Sequence, residues 1–599
     1  MQKVPKRHEL PEEYTWNLKT IYPNEGLWEA DFQAIKGSIP KLEGFRGKLG
    51  DSADQLLKCL ELRDETHKKC DQLFVYARMR KDEDNTNSHY QALADRALLL
   101  ATELSSASSF IAPEILSLPE EKLWGFVKAE PGLELYRHHL EELLRQRPHV
   151  RSTDVEMVLA QSMEISRTSD NTYSMLTNAD MKFPSIVDEE GNKVELSQAR
   201  YNQLRESQDR RVRLDAFRAM HQTFEGYRNT LASSLSGSVR SDIFYARARN
   251  YPNAMEAALY PNNIPTAVYH NLIQTVNRNL PSLQCYMELR KRMLGVDELH
   301  HYDLYVPMVP DVKMDMPYDQ AVKTVEAALS PLGDEYLGAL KDGITSRWID
   351  VYENEGKTSG AYSSGSYTTN PFVLLNYQGT LNDVFTLAHE LGHSMHSYFT
   401  RKTQQYVYGD YTIFLAEVAS TLNEQLLTNY LLANSTDKKL KAYLINQQME
   451  RFRTTLFRQT MFAEFELDIH TRAEAGQALT PDLLSSMYRD LNIRYYGPAV
   501  VPDEEIAIEW ARIPHFYWAF YVYQYATGIS AATALAHQIL AEGEPAVQRY
   551  LRFLKSGSSD YSINLLKQAG VDMVSPEPVQ QALDSFDNLI DQMEALAAA

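Results

Sequence analysis

The chain has 599 residues, of which 44% are hydrophobic and 23% charged, and a net charge of −20. That length exceeds what one hydrophobic core needs, so several domains or one large multi-lobed body are expected. The acid excess argues against nucleic acid as a partner, and no run reaches the ~20 apolar residues that cross a bilayer. The first ten residues are polar and contain Pro5, without the apolar run of a secretory signal, so a cytoplasmic location is expected. Three cysteines, Cys59, Cys70 and Cys285, form neither a disulfide framework nor a zinc knuckle; the first two read as buried thiols on a helix.

Apolar residues recur at three- and four-residue spacing over 53–70, 87–108, 200–248, 266–295, 318–342, 438–470 and 543–555, so most of the chain is expected to be helical. Residues 183–187 and 193–196, joined by Asp188 to Gly191, read as a hairpin, and a domain boundary is placed just after it, near residue 198. A second strand-rich stretch, 347–378, ends directly before a segment that carries two histidines. Thr480-Pro481-Asp482 reads as an N-cap with proline in the first turn. The expected fold class is therefore mainly α, with a small β-sheet beside that histidine segment.

The segment opens on Thr380-Leu-Asn-Asp383, a capping box with Asp in the usual Glu place, followed by an apolar stripe of Val384, Phe385, Ala388, Leu391 and Met395. Within it stands His389-Glu390-Leu391-Gly392-His393. Residues four apart share a helix face, so His389 and His393 project together and can hold one Zn²⁺. Glu390 lies roughly 100° around the helix. It is thus off the ion yet near a water the ion would acidify, where a carboxylate can act as general base.

A catalytic zinc needs a third protein ligand and one open position. His396 shares roughly the same face but lies roughly 10 Å along the axis from His389, too far for a straight helix to bring to the same ion. The better candidate is Glu417 on the next helical stretch, set among Phe414, Leu415, Ala416, Val418 and Ala419, where a carboxylate needs a partner. Ser420 is small enough for close helix packing. Glu424, on the same face as Glu417, reads either as a group that supports a ligand from behind or as a solvated residue, the second being favoured.

The segment from His389 to His396, followed by Glu417 to Ser420, resembles the thimet-oligopeptidase-like metallopeptidases and most of all their oligoendopeptidase F branch. Ser359 to Tyr362, Asn376 to Phe385, His515-Phe-Tyr517, Tyr523 to Gly528 and Lys555 to Tyr561 resemble that branch too, so the likeness covers essentially the whole chain. It implies an N-terminal helical domain over 1–198 and a zinc metallopeptidase domain over 199–599, forming a large multi-lobed helical body with a deep substrate channel that admits short oligopeptides. By matching positions it implies one Zn²⁺ per chain on His389, His393 and Glu417, with Glu390 as general base. It also implies that His515 and a following tyrosine stabilise the oxyanion. Position 520 is Phe, and Tyr517, Tyr521 and Tyr525 flank it at helical four-residue steps; Tyr521 is assigned to the oxyanion and Tyr525 to the substrate. Gly360 and Tyr362 are expected on a strand edge that pairs with the substrate backbone. Two alternatives stand beside this reading. A zinc aminopeptidase would need an acid near Gly360-Ala361, which is absent. A non-catalytic peptide-binding relative would have no use for the complete set of ligands and base. No oligomeric state is implied.

Overall fold

The computed structural model describes residues 3–309 and 314–598. The chain forms two compact units that interleave along the sequence: residues 1–147, 313–433 and 535–571 make one, and 148–312, 434–534 and 572–599 the other. Both are mainly helical, and no helix among the described residues is long and apolar enough to cross a membrane.

The first unit holds the histidine segment, a helix over Leu381–Thr403. It starts where the capping box places it. The Thr380 side chain accepts from the Asp383 N–H at 3.3 Å, and the Asp383 carboxylate accepts from the Thr380 N–H at 2.9 Å. Such a cap contributes about 1 kcal/mol. Val384, Ala388, Leu391 and Met395 are buried as the spacing requires; Phe385 is only half-buried, and Leu387 and Phe399 complete the stripe instead. The second helix, Ile413–Asn434, buries Phe414, Leu415, Val418, Ala419 and Leu422. The two helices approach backbone to backbone. A Cβ on Gly392 would lie 2.6 Å from the Ser420 Cα and 2.7 Å from the Ala419 carbonyl oxygen. The Asn423 amide crosses to the Ala388 carbonyl at 3.1 Å and is itself held by the Tyr336 hydroxyl at 3.0 Å.

The strand-rich stretch folds as a three-stranded sheet, with Phe372–Leu374 in the centre. Ile349–Asp350 runs parallel to it, and Tyr362–Ser364 antiparallel on the other side. The sheet is anchored by charge as well as by pairing. Asp350 and the Lys357 side chain are fully buried and 2.7 Å apart, and Arg7 binds the same carboxylate. Removing one member of such a buried pair typically costs 3–5 kcal/mol. Cys59 and Cys70 are buried on the helix Ala53–Glu83, and burial pushes each thiol up to about 12.

In the second unit the expected hairpin forms, Ser185–Val187 against Lys193–Glu195. The region 200–248 is three helices, with a break at Gly226, and 438–470 passes through a π-helical turn over Phe452–Phe457. Thr480 caps its helix by accepting from the Leu483 N–H at 3.2 Å.

Because the contact at Gly392 is with backbone, no side-chain adjustment can relieve an added methyl group. Gly392→Ala should lower stability by about 1–3 kcal/mol, read as a fall in the thermal midpoint of the metal-free protein; an unchanged midpoint would mean that the helices part without cost.

Candidate active site

In the first unit, the Nε2 atoms of His389 and His393 are 3.2 Å apart, and Glu417 Oε2 lies 3.4 Å from the first and 3.6 Å from the second. A tetrahedral ion with bonds of ~2.0–2.1 Å separates its ligands by about 3.3–3.4 Å. The other side of each ring is already committed. His389 Nδ1 is 2.6 Å from Glu424 Oε1, and the His393 ring donates to the Ala416 carbonyl. Each imidazole thus spends its proton away from the centre, so two nitrogen lone pairs and a carboxylate oxygen face one another. That donor set suits a divalent cation and is repulsive without one. Burial lowers the His393 pKa to about 4, which keeps it in the neutral, ligating form.

The helix Ile413–Asn434 supplies Glu417 from a half-open face. Most of its apolar neighbours are buried, but its own side chain keeps 43% exposure and receives a hydrogen bond from Ser420 Oγ at 2.9 Å. Of the apolar company read from the sequence, Phe414, Leu415, Val418 and Ala419 are buried while Ala416, like Glu417, is only half-buried. Glu424 corrects the expectation of a solvated residue. It is buried at 6% exposure and orients His389 through Nδ1, the partner a ligating histidine usually has. Two carboxylates one face apart, 417 and 424, are the signal in the sequence; which histidine the second one meets is a matter of helix packing.

Glu390 is buried at 8% exposure, and that burial raises its pKa, as does the Glu417 charge; His389 and a hydrogen bond from the Ser363 N–H act in the opposite direction. The strand Tyr362–Ser364 therefore holds the carboxylate beside the histidines, and Ser363 and Ser394, hydroxyl to hydroxyl at 2.9 Å, tie strand to helix. Sequence reasoning did not single out these serines. Gly360 precedes the strand with φ +83°, a conformation that favours glycine, and its carbonyl accepts from the Asn376 amide at 2.8 Å. The Tyr362 hydroxyl donates to Asp82 at 2.7 Å. His396 is buried away from the ligand atoms, stacked on Tyr411 at 3.7 Å, and belongs to the packing of the helix.

In the second unit His515, Tyr521 and Tyr525 form a cluster of their own. The His515 ring is 6.2 Å from the Tyr521 ring and 5.8 Å from that of Tyr525, whose hydroxyl stands 3.4 Å from His515 Nε2. Burial lowers the His515 pKa. The helical four-residue step expected of Tyr517, Tyr521 and Tyr525 does not hold. A short 3₁₀ turn over Pro514–Tyr517 ends, Phe520 takes a left-handed φ of +52°, and a helix begins only at Tyr523. Tyr517 turns to stack on Tyr173 at 4.5 Å. The strained turn at Phe520 is held by its own N–H, which donates to the buried Glu466 at 2.7 Å.

The chain matches the model of Peptidase family M3 over residues 203–585 and that of the Oligopeptidase F N-terminal region over 114–183. The chain belongs to peptidase family M3. Oligopeptidase PepF of Bacillus subtilis is 51% identical, over 99% of this chain and 89% of its own length. A crystal structure of a putative peptidase from Chlamydophila abortus superimposes with a TM-score of 0.94 at 39% identity, covering 99% of this chain and all of that one. Oligoendopeptidase-F from Enterococcus faecium gives a TM-score of 0.74 at 40% identity, over 96% and 99% of the two chains. The M3 chain described here is accordingly a metallo-endopeptidase.

Glu424→Ala should weaken zinc binding by about 10–100-fold, measured by competition with a chromogenic chelator, with helicity unchanged. Unaltered affinity would show that the Glu424 hydrogen bond does not support the ligand.

Proposed function

We propose that this protein hydrolyses internal peptide bonds of short oligopeptides with one zinc ion held by His389, His393 and Glu417. The observation that carries the reading is the convergence of two imidazole lone pairs and one carboxylate at ligand spacing, with a buried fourth group, Glu390, beside them. When bound, zinc supplies a Lewis acid that acidifies water and polarises a carbonyl. Glu390 takes the proton of the attacking water and returns it to the leaving amine. Its burial favours both halves of that task, because a carboxylate with a raised pKa accepts and releases a proton more evenly near neutral pH. The Ser363 N–H fixes its orientation.

His515 and Tyr521 are assigned to the oxyanion and Tyr525 to the substrate. Family membership and the clustering of these three rings support that assignment, and Tyr517 is excluded from it by its packing on Tyr173. Gly360 and Tyr362 are assigned to the substrate backbone on the strength of their place at the outer strand of the sheet. The oligopeptide class of substrate is supported by the names of the relatives, PepF and oligoendopeptidase-F. The two family models leave a gap between residues 183 and 203, which supports an N-terminal domain over 1–198 and a catalytic domain over 199–599. The missing acid beside Gly360 speaks against an aminopeptidase, and the intact base and ligand set against a non-catalytic relative.

Glu390→Gln should lower kcat by several orders of magnitude while zinc content by atomic absorption stays at one per chain. Retained turnover in that variant would remove Glu390 from the mechanism. An N-acetylated peptide should be cut as readily as the free one, and a chelator should abolish cleavage of both until zinc is restored; loss of cleavage on acetylation would instead mark an aminopeptidase.

A further inference from the structure

The second unit holds a cationic cluster that the peptidase reading does not use. Arg205 and Arg453 place their guanidinium carbons 3.6 and 4.5 Å from the centre of the Tyr305 ring. Arg458 adds its charge to the same phenol. Two carboxylates serve the cluster: Glu450 is bound by Arg453 and by Arg290, and Glu509 by Arg458 and, more loosely, by Arg512. Among the described residues these five guanidiniums face two carboxylates, a net excess of three positive charges, in a chain whose net charge is −20. Burying charge without a counter-charge is costly, so an excess of this size calls for an anion.

The unsatisfied groups sit where an anion could meet them. The Arg205 side chain makes no hydrogen bond or ion pair among the described residues; its guanidinium rests on the rings of Tyr201 and Tyr305. The Arg453 side chain is fully buried, and its Nη1 has no partner although Nη2 binds Glu450 at 2.6 Å. The Tyr305 hydroxyl also lacks a hydrogen bond among the described residues, and the residue as a whole is half-buried. The positive potential is felt at that hydroxyl. Despite burial, its pKa falls to about 8 under Arg458, Arg205 and Arg453; Glu509, Tyr496 and Tyr201 are the other titratable groups that face it among the described residues. Arg453 is also carried by the π-helical turn Phe452–Phe457, a departure from α-helix that often marks a functional site.

We propose that Arg205, Arg453 and Arg458 around the Tyr305 hydroxyl form a binding site for an oxyanion, supplied either as free inorganic phosphate or as the α-carboxylate of a peptide. Guanidiniums pair with both by the same two-pronged hydrogen bonding. The peptide source rests on the peptidase reading; the phosphate source does not.

The test uses the zinc-loaded full chain with inorganic phosphate added at constant ionic strength. Phosphate should raise the thermal midpoint, because a ligand that binds only the folded state stabilises it. It should also move one phenolate transition, followed near 295 nm and identified by its loss in Tyr305→Phe, to higher pH. Both effects should vanish in Arg205→Met, which keeps the apolar stem against the tyrosine rings. If the peptide carboxylate is the natural ligand, Arg205→Met should raise KM about tenfold for a free-acid peptide and leave its C-terminal amide unchanged, and phosphate should compete with the acid alone. Equal KM changes for acid and amide, with the phosphate effects intact in the parent, assign the site to the free oxyanion. A phosphate response that survives in Arg205→Met lies elsewhere, for example at the metal, and overturns the proposal. So does the absence of any effect on the midpoint or the phenol in the parent. Neither readout depends on turnover, so failure here leaves the Glu390 mechanism standing, and failure of that mechanism leaves the phosphate arm intact.

Discussion

The contact between Gly392 and Ser420 sets the geometry on which the rest of the site depends. Glutamate is a short arm, and it reaches a pair of histidines on a neighbouring helix only if the two backbones nearly touch. They do: there is no room for a Cβ at Gly392. From that contact the successive turns of the second helix fall into register with the first. Glu417 meets the Nε2 atoms of His389 and His393, Asn423 meets the Ala388 carbonyl, and Glu424 meets the far nitrogen of His389. Glu417 and Glu424 thus lie seven residues apart on one face, the spacing at which a helix repeats its direction after two turns, with Asn423 one residue before the second of them.

Glu390 is placed by different means. It shares the helix with His389 and His393 but occupies a buried position, where burial and the Glu417 charge raise its pKa and His389 and the Ser363 N–H act in the opposite direction. The small sheet therefore holds the Glu390 carboxylate beside the histidines. Its own place depends on a buried Asp350–Lys357 pair, with Arg7 of the N-terminal stretch on the same carboxylate. The His515 cluster relies on a comparable device: a left-handed turn at Phe520, costly for a bulky residue, persists because a buried Glu466 accepts its N–H.

Much of this was legible in the residues. The capping box at Thr380, the Thr480 cap, the hairpin before residue 198 and the pairing of His389 with His393 are all local, decided within a few residues by hydrogen bonding and helix period. The errors were of one kind. The residue pattern presents Glu424 as solvated, Phe385 as core, and the tyrosines after His515 as a helical row. In each case the neighbouring sequence could not reveal which tertiary surface would cover a given face. A carboxylate on an amphipathic helix looks the same whether it meets water or an imidazole thirty-five positions away, and nothing local at Phe520 announces a left-handed turn when its acceptor is at position 466.

The sequence by itself determined the chemistry on offer: two histidines four apart with a glutamate between them, a second helix rich in small residues and carboxylates, and a mainly helical chain to carry them. Helix period decides that much, because it acts over a single turn. Tertiary structure decided the roles. Only the packing at Gly392 makes Glu417 a candidate ligand and Glu424 its support, and only burial against Ser363 gives Glu390 the environment of a base. In the second unit, only folding gathers five arginines from distant stretches around too few carboxylates. Charge excess of that kind belongs to a place in space, and no window of the sequence contains it.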